Sequence, residues 1–120
     1  MSLTETPLIN TLSRALDLTS LRQRLVSENI ANTDTPGYKT RDIDFRSELQ
    51  KSLTGDASAD LPPEIRTVAS LEERPDGNNV NIDRESLLMA HNQLQFQAGV
   101  ALLRTEFNRL QLAISGGSSS

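Results

Sequence analysis

The sequence predicts a mainly α-helical protein. Long N- and C-terminal helices would pack as a coiled-coil-like hairpin, with a short, partly irregular middle segment between them. Apolar residues recur at helical spacing near both ends. Fourteen of the 18 leucines lie before residue 32 or after residue 82. A chain of 120 residues is one domain at most. We divide it into residues 1–39, 40–81 and 82–120.

The N-terminal helix is predicted from Leu8 to Ala31, and it has two apolar faces. The first face comprises Leu8, Leu12, Ala15, Leu16, Val26 and Ile30, with Thr19 and Gln23 in the same seam. The nearly opposite face carries Leu18, Leu21 and Leu25. A helix on the surface of a small globule needs only one apolar stripe. We therefore expect neighbours on two sides, and we expect the second face to be exposed in an isolated monomer.

A helix stop and a tight turn follow this helix. Asn29 and Asn32 bracket the stop, and asparagine tolerates the left-handed conformation just past a helix terminus. Pro36 presets φ, and Gly37 accepts the positive φ that a type II turn requires. The helix is therefore predicted to end here.

The middle segment is predicted to begin with a short helix capped by Asp44, in which Phe45, Leu49 and Leu53 share one face. Residues 54–63 are small and polar and end in proline, which is typical of a flexible linker. Residues 65–71 are expected to be extended. A turn at Asp76-Gly77 leads into residues 79–82, so a small β-hairpin is expected there.

The C-terminal helix is predicted from an Asp83 N-cap to about Ile114, a length of roughly 48 Å. Its main seam alternates by four and three residues, as in a coiled coil. The seam is Ile82, Ser86, Met89, Gln93, Phe96, Val100, Leu103, Phe107, Leu110 and Ile114. A second stripe faces away from it and comprises Leu87, Ala90, Leu94, Ala98, Ala101 and Leu112. Residues 116–120 are expected to form a flexible tail.

Several classes of function are disfavoured by composition. A formal net charge of -4 and a pI near 4.9 argue against a nucleic-acid partner. The chain has no cysteine and one histidine, His91, which has no metal ligands at suitable spacing. The Asp76 loop lacks the glycine and glutamate of a calcium loop, having Asn81 and Leu87 instead. We expect no metal, cofactor, small-molecule substrate or catalytic residue, and hence no enzyme.

Transport across a membrane leaves little trace in the sequence. No apolar run approaches the roughly 18 residues needed to span a bilayer. Residues 1–7 lack the basic start and apolar block of a cleaved secretory signal. We therefore expect the protein to remain in the cytoplasm or to leave by a route that uses no such signal.

One string in the chain is much less common than a bare Pro-Gly. Asn29-Ile30-Ala31-Asn32, followed after two residues by Thr35-Pro36-Gly37-Tyr38-Lys39, resembles the N-terminal signature of bacterial flagellar rod and hook axial proteins. Residues 40–45 and 76–80 more narrowly resemble proximal-rod members of the flagellar basal-body rod family. The resemblance implies that these nine motif residues fix the helix exit and place the following segment against an adjacent subunit.

The resemblance also implies a function. It indicates a structural subunit of the rod, the periplasmic drive shaft for motility, exported without a cleaved signal by the flagellar type III export apparatus. The implied partners are copies of the chain, other rod proteins and the adaptor that joins rod to membrane ring. Residues 40–81 are too short for the large outer domain of hook relatives, which favours the proximal rod.

Assembly is expected to use side chains on both long helices. They are Leu12, Leu16, Leu18, Leu21, Leu25, Val26, Ile30, Met89, Phe96, Val100, Leu103, Phe107, Leu110 and Ile114. The alternative is a cytoplasmic coiled-coil adaptor or export chaperone that forms a closed dimer, because it shares the acidic charge and the coiled-coil seam.

Overall fold

The fold is an elongated helical hairpin with a small folded segment on one side. The structure, a computed structural model, describes residues 6–118. The elements are α1 (Pro7–Ala31), β1 (Arg41–Ile43), α2 (Phe45–Thr54), a 3₁₀ turn (Ala57–Asp60), β2 (Ile65–Thr67) and α3 (Ile82–Ser118). The described part measures 71 × 28 × 16 Å. The predicted fold class is confirmed, including two long helices and a short middle segment with a two-stranded antiparallel sheet.

Local sequence explains where α1 begins and ends. The Thr6 hydroxyl accepts a hydrogen bond from the Ile9 N–H at 3.1 Å, and Pro7 occupies the first turn, where its missing N–H costs nothing. Asn32 closes the other end, with its N–H bonded to the Glu28 and Asn29 carbonyls. Helix α1 is therefore capped at both ends by its own residues.

Helices α1 and α3 run antiparallel, in a register defined by three contacts about two turns apart. Asn29 Nδ2 lies 3.1 Å from Glu85 Oε2, and Asn92 Nδ2 lies 3.2 Å from Gln23 Oε1. Further along, a Cβ on Gly99 would lie 2.8 Å from a Leu16 methyl group, so glycine permits close approach. Extending this register places α3 beyond the described start of α1 from about residue 110.

The contact between the helices uses a different face of α3 from the predicted seam. Glu85 and Asn92 are buried in it, and Gly99 lies against α1. Of the predicted seam, only Met89, Val100, Leu103 and Leu110 are half-buried, whereas Ile82, Ser86, Gln93, Phe96, Phe107 and Ile114 are exposed. The inner face is rotated by about one residue, because hydrogen bonds and a close glycine contact stabilise positions that apolar periodicity does not count.

The first face of α1 is broadly as predicted. Thr19 and Val26 are buried, and Leu12, Ala15, Leu16, Gln23 and Ile30 are half-buried. Leu8 is the exception, at 48% exposure.

The second face of α1 is covered within the monomer. Leu18 and Leu25 are 0% and 1% exposed, and they form a core cluster with Ile43. Leu21, Phe45 and Leu49 are half-buried and pack against that cluster. The expectation that Leu18, Leu21 and Leu25 are exposed in the monomer is therefore wrong. The middle segment folds back over them, because β1 and α2 supply apolar side chains that cover this face.

The middle segment has more secondary structure than a linker. Asp44 caps α2 as predicted, accepting the Ser47 N–H at 3.1 Å, and Gly55 ends it in the left-handed conformation. The predicted linker contains the 3₁₀ turn. The predicted hairpin has the wrong partner: β2 pairs antiparallel with β1, Arg41 opposite Thr67, and residues 79–82 form no strand.

The ends of α3 also differ from expectation. Asn81 caps the helix in place of Asp83, since its side-chain oxygen accepts the Arg84 N–H at 3.1 Å. The helix continues past Ile114 to Ser118, so residues 116–118 are helical where a tail was expected. Ser119 and Ser120 lie outside the described residues, as do residues 1–5 of the segment searched for a signal. Within residues 6–118, no helix combines the length and apolar character needed to cross a membrane.

We predict that Leu18→Ala lowers the free energy of unfolding by about 2–5 kcal/mol, the usual effect of emptying a well-packed leucine position. Leu94→Ala is the matched control, because Leu94 is 69% exposed, and its effect should stay within about 0.5 kcal/mol. Urea unfolding of the monomer, followed by circular dichroism, measures both values. Equal effects would contradict the internal core.

Candidate functional site

Two strings that are distant in the sequence, residues 29–39 and residues 76–80, meet at the base of the hairpin. The Gly37 N–H donates to the Asp76 carbonyl at 2.9 Å, and both Gly37 and Gly77 have positive φ, of 76° and 84°. A Cβ on Gly77 would lie 3.5 Å from the Gly37 Cα. We call this region the asparagine junction, after the side chains of Asn29, Asn32, Asn78 and Asn79 that hold it together.

The predicted turn after α1 is present. The Tyr38 N–H donates to the Thr35 carbonyl at 3.2 Å, with Pro36 and Gly37 between them. Asn32 stabilises the approach: its Nδ2 donates to the Glu28 carbonyl at 2.8 Å, and its Oδ1 accepts the Thr35 hydroxyl at 3.0 Å. These hydrogen bonds therefore fix the direction in which the chain leaves α1.

Asn29 is buried, at 1% exposure, and its amide uses its full hydrogen-bonding capacity. Nδ2 donates to the Arg41 carbonyl at 2.9 Å and to Glu85 Oε2 at 3.1 Å. Oδ1 accepts from the Tyr38 hydroxyl and from the Arg41 N–H, both at 3.0 Å. One side chain thus joins α1, β1, α3 and the turn.

Asn78 binds the turn from the other string. Its Nδ2 donates to the Asn32 and Thr35 carbonyls, each at 2.9 Å, and its Oδ1 accepts the Val80 N–H at 2.8 Å. The side chain is 0% exposed. Because these carbonyls lie past the end of α1, Asn78 supplies donors that the helix itself cannot.

Asn79 connects the junction to the small sheet. Its Oδ1 accepts the Thr40 N–H at 2.6 Å, and its Nδ2 donates to the Val68 carbonyl at 2.8 Å. Residues 40 and 68 flank the strands β1 and β2. Asn79 therefore holds the sheet through side-chain bonds in place of the predicted strand pairing.

A chain of charges runs alongside the asparagines. Asp42 binds Arg22 through two contacts of 3.0 and 3.1 Å and binds Arg84 at 2.7 Å. Arg84 in turn pairs with Glu85 at 2.5 Å, whose carboxylate is also bound to Asn29. The chain is half-buried at the arginines and buried at Asp42 and Glu85. It therefore links α1, β1 and the first turn of α3.

The pKa of Asp42 lies below its ordinary value of 3.8. Burial, the largest single cause, would by itself raise this pKa. The hydrogen bonds from Arg22, the Ile43 N–H and Arg84, together with the charge of Arg22, outweigh it. Burial, the largest cause, raises the pKa of Tyr38, which keeps its hydroxyl protonated as the donor to Asn29.

Two cations bind the outside of the junction. Lys39 contacts Glu73 at 2.7 Å and also donates to the Gly77 carbonyl. Arg74 donates to the Val80 carbonyl at 3.0 Å and to the Thr33 carbonyl. Each side chain bridges the turn after α1 and the segment around Gly77, so these cations reinforce the amide contacts.

The predicted motif residues fall into two groups. Asn29 is buried, and Ile30, Asn32, Tyr38 and Lys39 are half-buried within or beside the junction. The exposed members are Ala31, Thr35, Pro36 and Gly37. Sequence reasoning missed Arg22, Asp42, Arg84 and Glu85 as partners, and it quoted Asn78 and Asn79 without a role. In the sequence, the signal for these contacts was the resemblance of residues 76–80 to proximal-rod members of the rod family.

The chemistry of the junction is that of a structural joint. Its amides and charges are occupied by one another and by the backbone. Among residues 6–118, no group of three or more His, Asp and Glu side chains is placed to hold a metal ion. The arrangement fixes the angle between α1, α3 and the sheet, and it leaves the outer faces of α3 open.

Comparison with known proteins agrees with the motif. A family described as "Flagella basal body rod protein" matches residues 9–39, which include most of α1 and the turn. The chain is 36% identical to the flagellar basal body rod protein FlgB of Salmonella typhimurium and 35% identical to that of Escherichia coli, covering 87% of this chain and 90% of each relative. It is 33% identical to FlgB of Bacillus subtilis, over 91% of this chain and 94% of the relative.

We predict that Gly37→Val destabilises the chain by about 1–3 kcal/mol, because a β-branched residue at φ 76° is strained. The space around a new Cβ is open, so the effect reports backbone strain and not a clash. Gly37→Asn is the control and should cost less, since asparagine tolerates this conformation. Thermal unfolding compares the two variants, and an equal cost would contradict the role of φ.

The lowered pKa of Asp42 predicts a pH dependence. Its folded pKa is depressed, so its contribution to stability is complete above 3.8 and is lost as the pH falls through the folded pKa. The difference in unfolding free energy between wild type and Asp42→Asn should therefore shrink below pH 3.8. Urea unfolding at a series of pH values measures it. Asp34→Asn, on an exposed residue, is the control.

Proposed function

The chain belongs to the family of flagellar basal body rod proteins, and we propose that it builds the proximal part of the rod by helical association through the outer faces of α3. It is a structural subunit of the bacterial flagellar basal-body rod and serves motility; it is not an enzyme. The closed-dimer adaptor is not supported, because relatives covering nearly the whole chain are rod proteins.

The observation that carries the proposal is the exposed apolar stripe on α3, which we call the outer stripe. It comprises Leu87, Ala90, Leu94, Ala98, Ala101 and Leu112, all exposed. The three leucines are 72%, 69% and 73% exposed. Leucines separated by alanines allow another helix to approach closely, and contiguous exposed apolar surface usually marks an interface.

A second exposed surface lies on the flank of α3. Phe96, Phe107 and Ile114 are 41%, 43% and 52% exposed, although they belong to the seam predicted from periodicity. Since α1 occupies the inner face, the flank and the outer stripe remain for neighbours on two sides. Two different contact surfaces on one subunit favour a heterologous interface, which propagates into a helical assembly.

The motif residues have a further proposed role. The junction fixes the direction in which Asn32–Lys39 leaves α1, and its exposed members Ala31, Thr35, Pro36 and Gly37 are available to an adjacent subunit. Of the residues expected to act in assembly, Leu18, Leu21 and Leu25 act by supporting the fold from inside. The exposed flank side chains are proposed to make the contacts between subunits.

Finer partners and location are part of the same proposal. Membership in the rod family indicates assembly with other rod components. We place the adaptor that joins rod to membrane ring, and the flagellar type III export apparatus, among the partners. The proposed location is the periplasmic part of the rod, reached without a cleaved signal. The resemblance of the motif and the shortness of the segment between α1 and α3 support this assignment.

We predict that Leu94→Glu abolishes swimming when the variant replaces the chain in its host, because a carboxylate in the outer stripe would lose solvent on assembly. Gln97→Glu is the matched control on an exposed position of the same helix and should keep motility. Soft-agar swimming and the amount of the chain in isolated basal bodies are measured. Circular dichroism confirms that both variants fold. Wild-type assembly of Leu94→Glu would refute the stripe as an interface.

A further inference from the structure

A buried amide that is not part of the junction lies in the contact between α1 and α3. Asn92 is 1% exposed, and its Nδ2 donates to Gln23 Oε1 at 3.2 Å. Among residues 6–118, no donor lies within hydrogen-bonding distance of its Oδ1. A buried amide with one acceptor unused is less favourable than a well-packed apolar side chain of similar size. Asn92 therefore lowers the stability of the helix contact relative to a leucine at the same position.

The next contact lies seven residues away on each helix. Leu16 packs against Gly99 there, where a Cβ on the glycine would lie 2.8 Å from a Leu16 methyl group. A leucine thus occupies space that any other residue at position 99 would fill. The two contacts are an amide bonded to an amide and a large side chain beside a residue that has none, and each depends on the alignment of the helices.

Apolar spacing on α1 does not by itself define this alignment. Ile9, Leu16 and Ile30 lie at heptad intervals, with Gln23 as the polar member of the series. A slide of α3 by seven residues in either direction brings the same face of α3 back onto this series, displaced by about 10 Å. Apolar packing of α1 therefore permits more than one register.

The residues of α3 distinguish between these registers. A slide in one direction places Asn92 opposite Leu16, and a slide in the other direction places it opposite Ile30. In both cases the amide is buried against an apolar side chain and loses its acceptor. Leu16 also moves away from Gly99 and meets a residue that has a side chain. Each slide therefore loses both contacts.

The connection between the helices imposes no register until the junction has formed. Residues 32–81 join α1 to α3, and a chain of this length spans far more than the slide. Hydrogen bonds such as those of Asn78 hold residues 76–80 beside the turn. While these bonds are open, the register depends on the contacts between the two helices.

We propose that Gln23 and Asn92, which we call the amide pair, select the observed register of the hairpin against slides of one heptad. A polar pair in an otherwise apolar seam has this effect because every alternative register leaves an amide unpaired. The pair thereby sets the position of the outer stripe, which a slide would move by about 10 Å relative to the junction. The inference concerns the single chain and does not depend on the proposed rod function.

Distances between spin labels test the register in the purified full-length chain. The chain has no cysteine, so Ser27→Cys and Arg104→Cys, both at exposed positions, carry the labels. In the observed register the two positions are offset by about 24 Å along the hairpin, and a slide changes this offset by about 10 Å. Double electron–electron resonance therefore distinguishes the registers.

The test variant replaces the amide pair by leucines, Gln23→Leu with Asn92→Leu, in a chain whose junction is weakened by Asn78→Ala. A second distance is expected in about a tenth or more of these molecules. The Asn78→Ala chain that keeps the amide pair should show one distance. Thr19→Val in the weakened chain is the matched control, because it adds an apolar group at a buried position of the same face and leaves the amide pair unchanged.

Refolding rates give a second readout with the junction intact. The chain with both leucines should show an additional slow phase, because a slipped hairpin must open before the junction can form. The Thr19→Val chain should refold with the phases of the wild type. Circular dichroism establishes that each variant is folded. If the weakened chain with both leucines does not fold, the refolding rates decide.

Two results would overturn the proposal. One is a single distance in the folded, weakened chain with both leucines, which would show that the register is selected without the amide pair. The other is a pair of distances in the weakened chain that keeps the amide pair, which would show that the pair does not exclude a slide. Where refolding decides, equal phases in the chain with both leucines and in the Thr19→Val chain would have the same meaning.

Discussion

The rest of the structure depends on a buried amide, that of Asn29, whose donors and acceptor all have partners in the protein. An unpaired amide at this depth would cost about 1–3 kcal/mol, so these bonds must form together. They can do so only if β1, Tyr38 and the first turn of α3 converge on the end of α1. One satisfied side chain therefore specifies the angle at which three elements meet.

Much of this architecture follows from local rules, and the remainder does not. Apolar spacing defines α1 and α3, Asp44 marks the start of α2, and Pro36-Gly37 marks the turn. The seam of α3 was predicted on the wrong residues, because Asn92 and Gly99 lie on the true inner face. Asn92 contacts α1 by a hydrogen bond and Gly99 by close approach, and apolar periodicity counts neither. Strand β1 was not predicted, because a strand of three residues has no periodic signal. Its pairing with β2 is accompanied by the Asn79 contact across the junction, which lies far away in the sequence.

The two faces of α1 show how one apolar pattern can have two meanings. Leu18 and Leu25 are covered by the chain's own middle segment, whereas leucines with similar spacing on α3 are open. Periodicity alone does not distinguish these cases, because it reports that a face is apolar and not what covers it. The short middle segment therefore completes the monomer's core, whereas the outer stripe of α3 stays exposed in the monomer.

The hairpin is held unequally along its length. The junction ties α1 to α3 at one end with amides and ion pairs, while the far end of α3 extends beyond α1. Under torsional load such a subunit behaves as a lever with a clamped base. Shear between the helices is resisted at the clamp, and bending is taken up towards the other end of the hairpin. A rotating shaft built from these units would be stiff near each clamp, with its compliance concentrated where one subunit meets the next.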